Sequence, residues 1–211
     1  VNPDPRLARL GARAAGLFPA SVVVAVAAPC DFATLHPAEA AGIARAVPDR
    51  QREFAGGRAA ARIAQHRLGR VPLPVPMGAD RAPVWPEGLR GSITHAGGLC
   101  LAAVTDDPRI EALGLDLEVD ESLPDGVAAE VLLPVEAGMP GRVVFSAKET
   151  VFKALYPTVG AVFGFEAVRV LVEGDRFGAE TLVRLGPLAP GLRLSGRLWR
   201  GEGLILTALA L

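Results

Sequence analysis

Lysine is almost missing from this chain: of its 22 basic residues only Lys148 and Lys153 are lysines, and the other twenty are arginines. The imbalance is most simply a coding bias, which replaces lysine wherever arginine can do the same work, so two survivors in one short segment mark that segment. Cysteine is equally scarce. Cys30 and Cys100 lack paired spacing and only three histidines accompany them, so neither a disulfide framework nor a zinc cluster is expected and both thiols read as small buried hydrophobes. The longest purely apolar run, Val22 to Ala28, stops at Pro29, far short of the roughly 20 residues that span a bilayer. With no basic-then-apolar leader pattern either, the expectation is a cytoplasmic protein without membrane attachment. An excess of one charge is missing too. Twenty-two basic residues against 23 acidic ones give a net charge of -1, which argues against a nucleic-acid binder and leaves room for a local anion pocket. P-loop, dinucleotide fingerprint and serine-nucleophile elbow are also absent, removing the commonest nucleotide-enzyme and hydrolase readings.

What is present is 211 residues, half of them hydrophobic, enough for one sizeable core or two small ones. Dispersed glycine and proline predict short elements. The patterning predicts a strand over 21–28, a helix over 36–47 opened by Pro37, and a longer helix over 49–68 with Gly56 and Gly57 in its middle. Mid-helix glycines are unfavourable unless another backbone or a ligand comes close. Further strands are predicted over 99–105, 112–119, 167–172, 180–185, 192–199 and 204–211, with Gly201, Glu202 and Gly203 turning the last hairpin. Residues 120–142 read as irregular or weakly helical, and a helix is predicted over 147–156. Helices and strands do not alternate regularly, so the fold class is α+β. A division into halves, 1–109 and 110–211, is compatible with this, although no sequence repeat marks it.

Three stretches carry chemistry. In Leu113-Gly114-Leu115-Asp116-Leu117-Glu118-Val119 the alternation sets the leucines on one face of a strand and Asp116 and Glu118 on the other, with α-carbons about 7 Å apart. Paired carboxylates suit a hard divalent cation, magnesium rather than zinc; they equally suit a wet strand face. In Phe145-Ser146-Ala147-Lys148-Glu149-Thr150-Val151-Phe152-Lys153, Glu149 and Lys153 share one helix face while Phe145, Phe152 and Leu155 share an apolar one. That pair fits a metal-bound phosphate. It also fits a structural account, with Ser146 and Glu149 as a capping box and Glu149–Lys153 as a surface ion pair. Gly91-Ser92-Ile93-Thr94-His95-Ala96-Gly97-Gly98 reads as a glycine-framed loop, either a phosphate receiver or a plain connection. Arg50, Arg52, Arg58 and Arg62 along the 49–68 helix are candidate phosphate forks, although helical arginines commonly face solvent.

Taken in order, Gly-Ser-Ile-Thr-His at 91–95, Gly-Leu-Asp-Leu-Glu at 114–118 and Phe-Ser-Ala-Lys-Glu with the second lysine at 153 resemble the 4'-phosphopantetheinyl transferases, in particular the branch of enterobactin synthetase component D and its actinobacterial relatives. Arg52-Glu53-Phe54 with Gly57-Arg58, Pro83-Val84-Trp85-Pro86 and Leu123-Pro124-Asp125-Gly126-Val127 add to the likeness, which runs from about residue 35 to the C-terminus. The resemblance implies two similar α/β halves with the cofactor site between them. It implies a monomeric, magnesium-dependent enzyme that moves the 4'-phosphopantetheine arm of coenzyme A to a serine of an apo acyl or peptidyl carrier protein and releases adenosine 3',5'-bisphosphate.

By motif, Asp116, Glu118 and Glu149 match the family's magnesium acids, and Glu149 matches the base for the carrier serine. Lys153 matches the lysine at the diphosphate and leaving group, and Lys148 another phosphate contact. Arg50, Arg58 and His95, with Thr94 beside it, match the residues that hold the 3'-phosphate and the nucleotide. Two departures stand out: Met77 occupies a place where a phosphate-contacting lysine is common, and the stretch from Met139 to Phe145 is short for the family. A non-catalytic coenzyme A or nucleotide-binding module and a metal-dependent phosphohydrolase are the competing readings.

Overall fold

The computed structural model describes residues 5–211, which form two compact units, one ending at Leu113 and the other running from Gly114 to Leu211. Among these residues no helix is long and apolar enough to cross a membrane. In the first unit, helix α1 (Pro5–Ala15) packs on strand β1 (Val23–Ala27). The one-turn α2 (Pro37–Ala40) and the long α3 (Pro48–Arg67) follow, then strands β2 (Arg90–Ala96) and β3 (Leu99–Thr105). The three strands form an antiparallel sheet in the order β1-β3-β2.

Helix α3 lies on this sheet through small residues, Ala60, Ala61 and Ala64 meeting Ala25, Ala102 and Val104. Its paired glycines complete the close approach: a Cβ on Gly56 would sit 2.7 Å from the Ala28 carbonyl oxygen and the Cys100 sulfur, and one on Gly57 2.8 Å from Ile93. These mid-helix glycines therefore accommodate the Ala28 backbone and the Cys100 and Ile93 side chains.

Two elements differ from the sequence reading here. The helix expected over 36–47 is a single turn, after which the Ile43 and Ala46 N–H groups bond three residues back; Glu39 at its third position is drawn into the core with 0% exposure. Its carboxylate accepts from the His36 and Val75 backbone N–H groups and from the Arg62 guanidinium. The loop expected over 91–98 is instead strand β2, with a two-residue turn at Gly97 and Gly98, both at positive φ. Gly-Gly between alternating runs is a hairpin signal, and most of that backbone is committed to the ladder with β3.

The second unit contains β4 (Leu113–Val119), α4 (Asp125–Val131), α5 (Gly141–Val159), β5 (Val168–Glu173), β6 (Arg176–Thr181), β7 (Arg193–Gly201) and β8 (Leu204–Ala210). Its five strands are ordered β4-β8-β7-β6-β5. Helix α5 covers the sheet, burying Val144, Ala147, Val151, Ala154 and Leu155 against Val168, Val170, Phe177 and Leu209. This stripe corrects the apolar face read from the sequence: Phe145 and Phe152 lie beside it, in ring contacts with Phe165 and Phe163.

The strand expected over 180–185 lies earlier, because Gly174 at positive φ closes a tight β5–β6 hairpin. The last hairpin turns as expected at Glu202 and Gly203, both with positive φ. Gly114 sets the depth of the helix on the sheet, since a Cβ there would stand 2.1 Å from the Thr150 carbonyl oxygen.

A buried glutamate anchors this unit too. Glu136, on a single helical turn behind Pro134, is 0% exposed. It accepts from the Leu133 and Val170 N–H groups and pairs with Lys148 of α5. In both units the glutamate stands two residues after a proline, takes an N–H three residues back and one on a later segment, and pairs with a cation of the long helix. That cation also donates to the carbonyl five residues before the glutamate, Thr34 in one unit and Val131 in the other.

Candidate active site

Because side chains alternate along a strand, Gly114, Asp116 and Glu118 share one face of β4. That face is not simply wet. The close seating of α5 at Gly114 brings the helix over Asp116, whose side chain is only 5% exposed and is held at both oxygens. Lys153 donates to Oδ1 at 2.6 Å and Ser146 to Oδ2 at 2.8 Å. Lys153 is thus turned to Asp116 and to the Leu115 carbonyl, 3.3 Å away, and the Glu149–Lys153 surface pair expected from helical spacing is not formed. Ser146 is likewise no cap: it lies fully buried inside α5, five residues after the helix begins.

Glu118 takes a hydrogen bond from Arg142 at 3.1 Å, and the same guanidinium donates to the Glu121 and Ser122 carbonyls. Burial, and then the negative charge of Asp116, raise the Glu118 carboxyl above its ordinary range, with Arg142 opposing them. Glu149 is raised as well, mainly by burial and further by Asp116, with Lys153 opposing. Asp116, Glu118, Glu149 and Lys153 therefore form one electrostatic neighbourhood.

Among the described residues no three histidine, cysteine or acidic side chains already stand as a metal-ligand group. The reason is local: Asp116 and Glu118 are each held by a cation of the chain. The donor set nevertheless fits a hard cation, being all carboxylate oxygen, with two acids raised by burial and by a neighbouring negative charge that a cation would offset.

Because the raised carboxyls favour the neutral form, they contribute stability below the ordinary carboxylate range that is lost as pH rises through their folded-state pKa. Glu149→Gln is therefore expected to raise the Tm of the metal-free protein at pH 7. The advantage should shrink on acidification below the ordinary carboxylate range. Calorimetric scans across that range check it, and a lowered Tm at pH 7 would contradict the assignment.

Lys148, one residue before Glu149, stands apart from this group. Its ammonium is 1% exposed and is shared among Glu136 at 2.8 Å and the carbonyls of Val131 and Phe165, at 2.8 and 3.0 Å. Those three bonds use every hydrogen of the ammonium. A cavity of about 300 Å³ opens beside it, lined by Glu149, Phe152, Phe163, Phe165 and Val168.

In the first unit, Arg50 at the start of α3 meets His95 near the end of β2, and Glu53 lies 3.4 Å from the His95 Nδ1 and 3.5 Å from the Arg50 guanidinium. Guanidinium only donates, so the His95 Nε2 accepts from Arg50 and its Nδ1–H faces Glu53. Arg58, two turns along the same helix, is buried. It donates to the Val75 carbonyl at 2.6 Å, covers the Phe54 ring at 3.9 Å, and has its pKa lowered to about 10, chiefly by burial. Thr94 is buried on the opposite face of β2 from His95, as strand alternation requires. Met77 joins the apolar cluster around Phe54 and packs over Gly42, so its side chain is a core contact.

The sequence profile of the 4'-phosphopantetheinyl transferase N-terminal domain matches residues 38–105. The chain is 45% identical over 193 residues to the 4'-phosphopantetheinyl transferase Svp of Streptomyces mobaraensis, covering 83% of this chain and 78% of that one. The chain belongs to the 4'-phosphopantetheinyl transferase family.

To the 4'-phosphopantetheinyl transferase Npt of Nocardia iowensis it is 36% identical, covering 83% of this chain and 88% of the relative. To enterobactin synthase component D of Salmonella typhimurium it is 33% identical, covering 57% of this chain and 54% of the relative. The protein is thus an enzyme of this family, which sets aside the non-catalytic module. In this transferase, sequence reasoning passed over the buried contacts of Ser146, Arg142 and Glu136. Only Ser146 lies in a motif it had singled out, and there the serine was read as a cap.

Proposed function

We propose that this transferase moves the 4'-phosphopantetheine arm of coenzyme A to a serine of an apo acyl or peptidyl carrier protein, with magnesium, and releases adenosine 3',5'-bisphosphate. The observation that carries the reading is the meeting of Asp116, Glu118, Glu149 and Lys153 at one place, a lysine among acids where a diphosphate would be cleaved.

The serine oxygen attacks the phosphorus that bears the pantetheine arm, and the bond to the bridging oxygen of the diphosphate breaks. Glu149, with its raised proton affinity, takes the serine proton. Lys153 supplies countercharge and a proton to the departing oxygen. Asp116, Glu118 and Glu149 would hold magnesium, whose chemistry is to neutralise charge across the diphosphate oxygens. Arg50, Arg58 and His95, with Thr94, are assigned to the 3'-phosphate and nucleotide. Lys148, matched by motif to a phosphate contact, is buried against Glu136 and the Val131 and Phe165 carbonyls, so its part is to hold the helix rather than to touch the phosphate. The enzyme is taken to work as a monomer in the cytoplasm.

The deciding experiment incubates the protein with coenzyme A, magnesium and an apo carrier and weighs the carrier. A gain equal to the phosphopantetheine arm supports the reading; unchanged mass across several unrelated carriers, or phosphate release without a carrier, overturns it. Lys153→Arg is expected to keep coenzyme A binding and to lower kcat by about 10²-fold, the lower end for losing a general acid, because arginine does not release a proton at neutral pH. Wild-type kcat in that variant would reduce the surviving lysine to a simple charge.

A further inference from the structure

We propose that Ser146, backed by Thr207, is a positioning residue that fixes the carboxylate of Asp116 for the metal; this rests on the magnesium reading above. Helix α5 meets β8 across an apolar core, yet three hydroxyls, those of Ser146, Thr150 and Thr207, lie there with 0% exposure. Their bonds form a chain: Thr150 Oγ1 is 2.7 Å from Thr207 Oγ1, Thr207 Oγ1 is 2.8 Å from Ser146 Oγ, and Ser146 Oγ is 2.8 Å from Asp116 Oδ2.

A carboxylate only accepts, so the Ser146 hydroxyl must donate to Asp116, and its own oxygen is left to accept from Thr207. The hydroxyls can then all point toward Asp116. Lys153 fixes the other carboxylate oxygen. With its two oxygens bonded to residues two turns apart on α5, the Asp116 carboxylate is restricted in rotation and presents its oxygens in a defined direction. Groups that orient a metal's direct ligands in this way commonly govern its affinity about 10–100-fold.

The arrangement also provides a clean variant. In Ser146→Ala the Thr207 hydroxyl can turn its one hydrogen to the residue 146 carbonyl, 2.9 Å away, and Thr150 has the Thr207 carbonyl at 3.1 Å. Thr150 and Thr207 thus each retain an acceptor, while Asp116 loses the Ser146 donor.

Magnesium chloride is titrated by calorimetry into coenzyme A-saturated wild type, Ser146→Ala, Thr207→Val and Asp116→Ala. Ser146→Ala is expected to bind magnesium about 10–100-fold more weakly, with its metal-free Tm near wild type, and the magnesium concentration for half-maximal transfer should rise in step. Thr207→Val, which keeps the direct donor, should show a smaller loss in the same direction, and it carries the test if Ser146→Ala does not fold. Wild-type magnesium affinity in Ser146→Ala beside lost affinity in Asp116→Ala overturns the positioning role alone. In the reserve case, wild-type affinity in Thr207→Val does the same. Absence of magnesium binding by the wild type overturns the metal reading, and this inference with it.

Discussion

Asp116→Ala is expected to lower phosphopantetheine transfer by at least about 10³-fold in a protein that still folds. The loss follows from position. Asp116 is the acid whose charge bears on both Glu118 and Glu149, and it is the partner of Lys153. Removing it takes away a proposed metal ligand and the contact that aims the lysine. Metal stabilisation of charge in the transition state is worth several kcal/mol, and each 1.36 kcal/mol is a factor of ten in rate. Folding is spared for two reasons. Lys153 is a quarter exposed and keeps the Leu115 carbonyl, so water replaces much of what the ion pair gave. The same change also relieves the repulsion that raises Glu118 and Glu149. Carrier mass spectrometry gives the rate and calorimetry the Tm; wild-type turnover would refute the metal assignment, and loss of the folded state would refute the balance of charges described here.

Lys148→Ala is expected to act in the opposite way, on stability first. Its ammonium and Glu136 are both essentially excluded from water, and breaking such a pair from one side typically costs about 3–5 kcal/mol. For a chain of this size that corresponds to roughly 6–20 °C in Tm. The variant leaves Glu136 buried with two backbone donors and no cation, and leaves the Val131 and Phe165 carbonyls without their shared donor. Glu136→Gln combined with Lys148→Met removes both charges and should recover part of the loss, since a buried pair replaced by neutral groups is often close to neutral in stability. A Lys148→Ala protein with unchanged Tm and a raised KM for coenzyme A would instead make this lysine a direct phosphate contact.

The sequence was readable where the signal is local. Strand β4 and helix α3 follow from apolar periodicity and flanking glycine and proline, which act locally. Strand β2 was hidden because Gly91 and the Gly97-Gly98 pair read as a loop, although Gly91 lies in the strand and the pair only turns a hairpin. The helix expected over 36–47 is shorter, a single turn whose Glu39 is taken by the core.

By itself the sequence determined the α+β class, most of the strands and the family, and it offered the candidate charged residues for the chemistry. It also singled out Lys148 and Lys153 as two lysines of one helix. The tertiary structure alone decided that they differ: Lys153 faces Asp116, whereas Lys148, five residues earlier on the same helix, is enclosed by Glu136 and two carbonyls. Helical spacing gives the angle between two side chains but not what lies at the end of each. That depends on residues 12 and 37 positions away in the chain, brought there by the packing of α5 on its sheet.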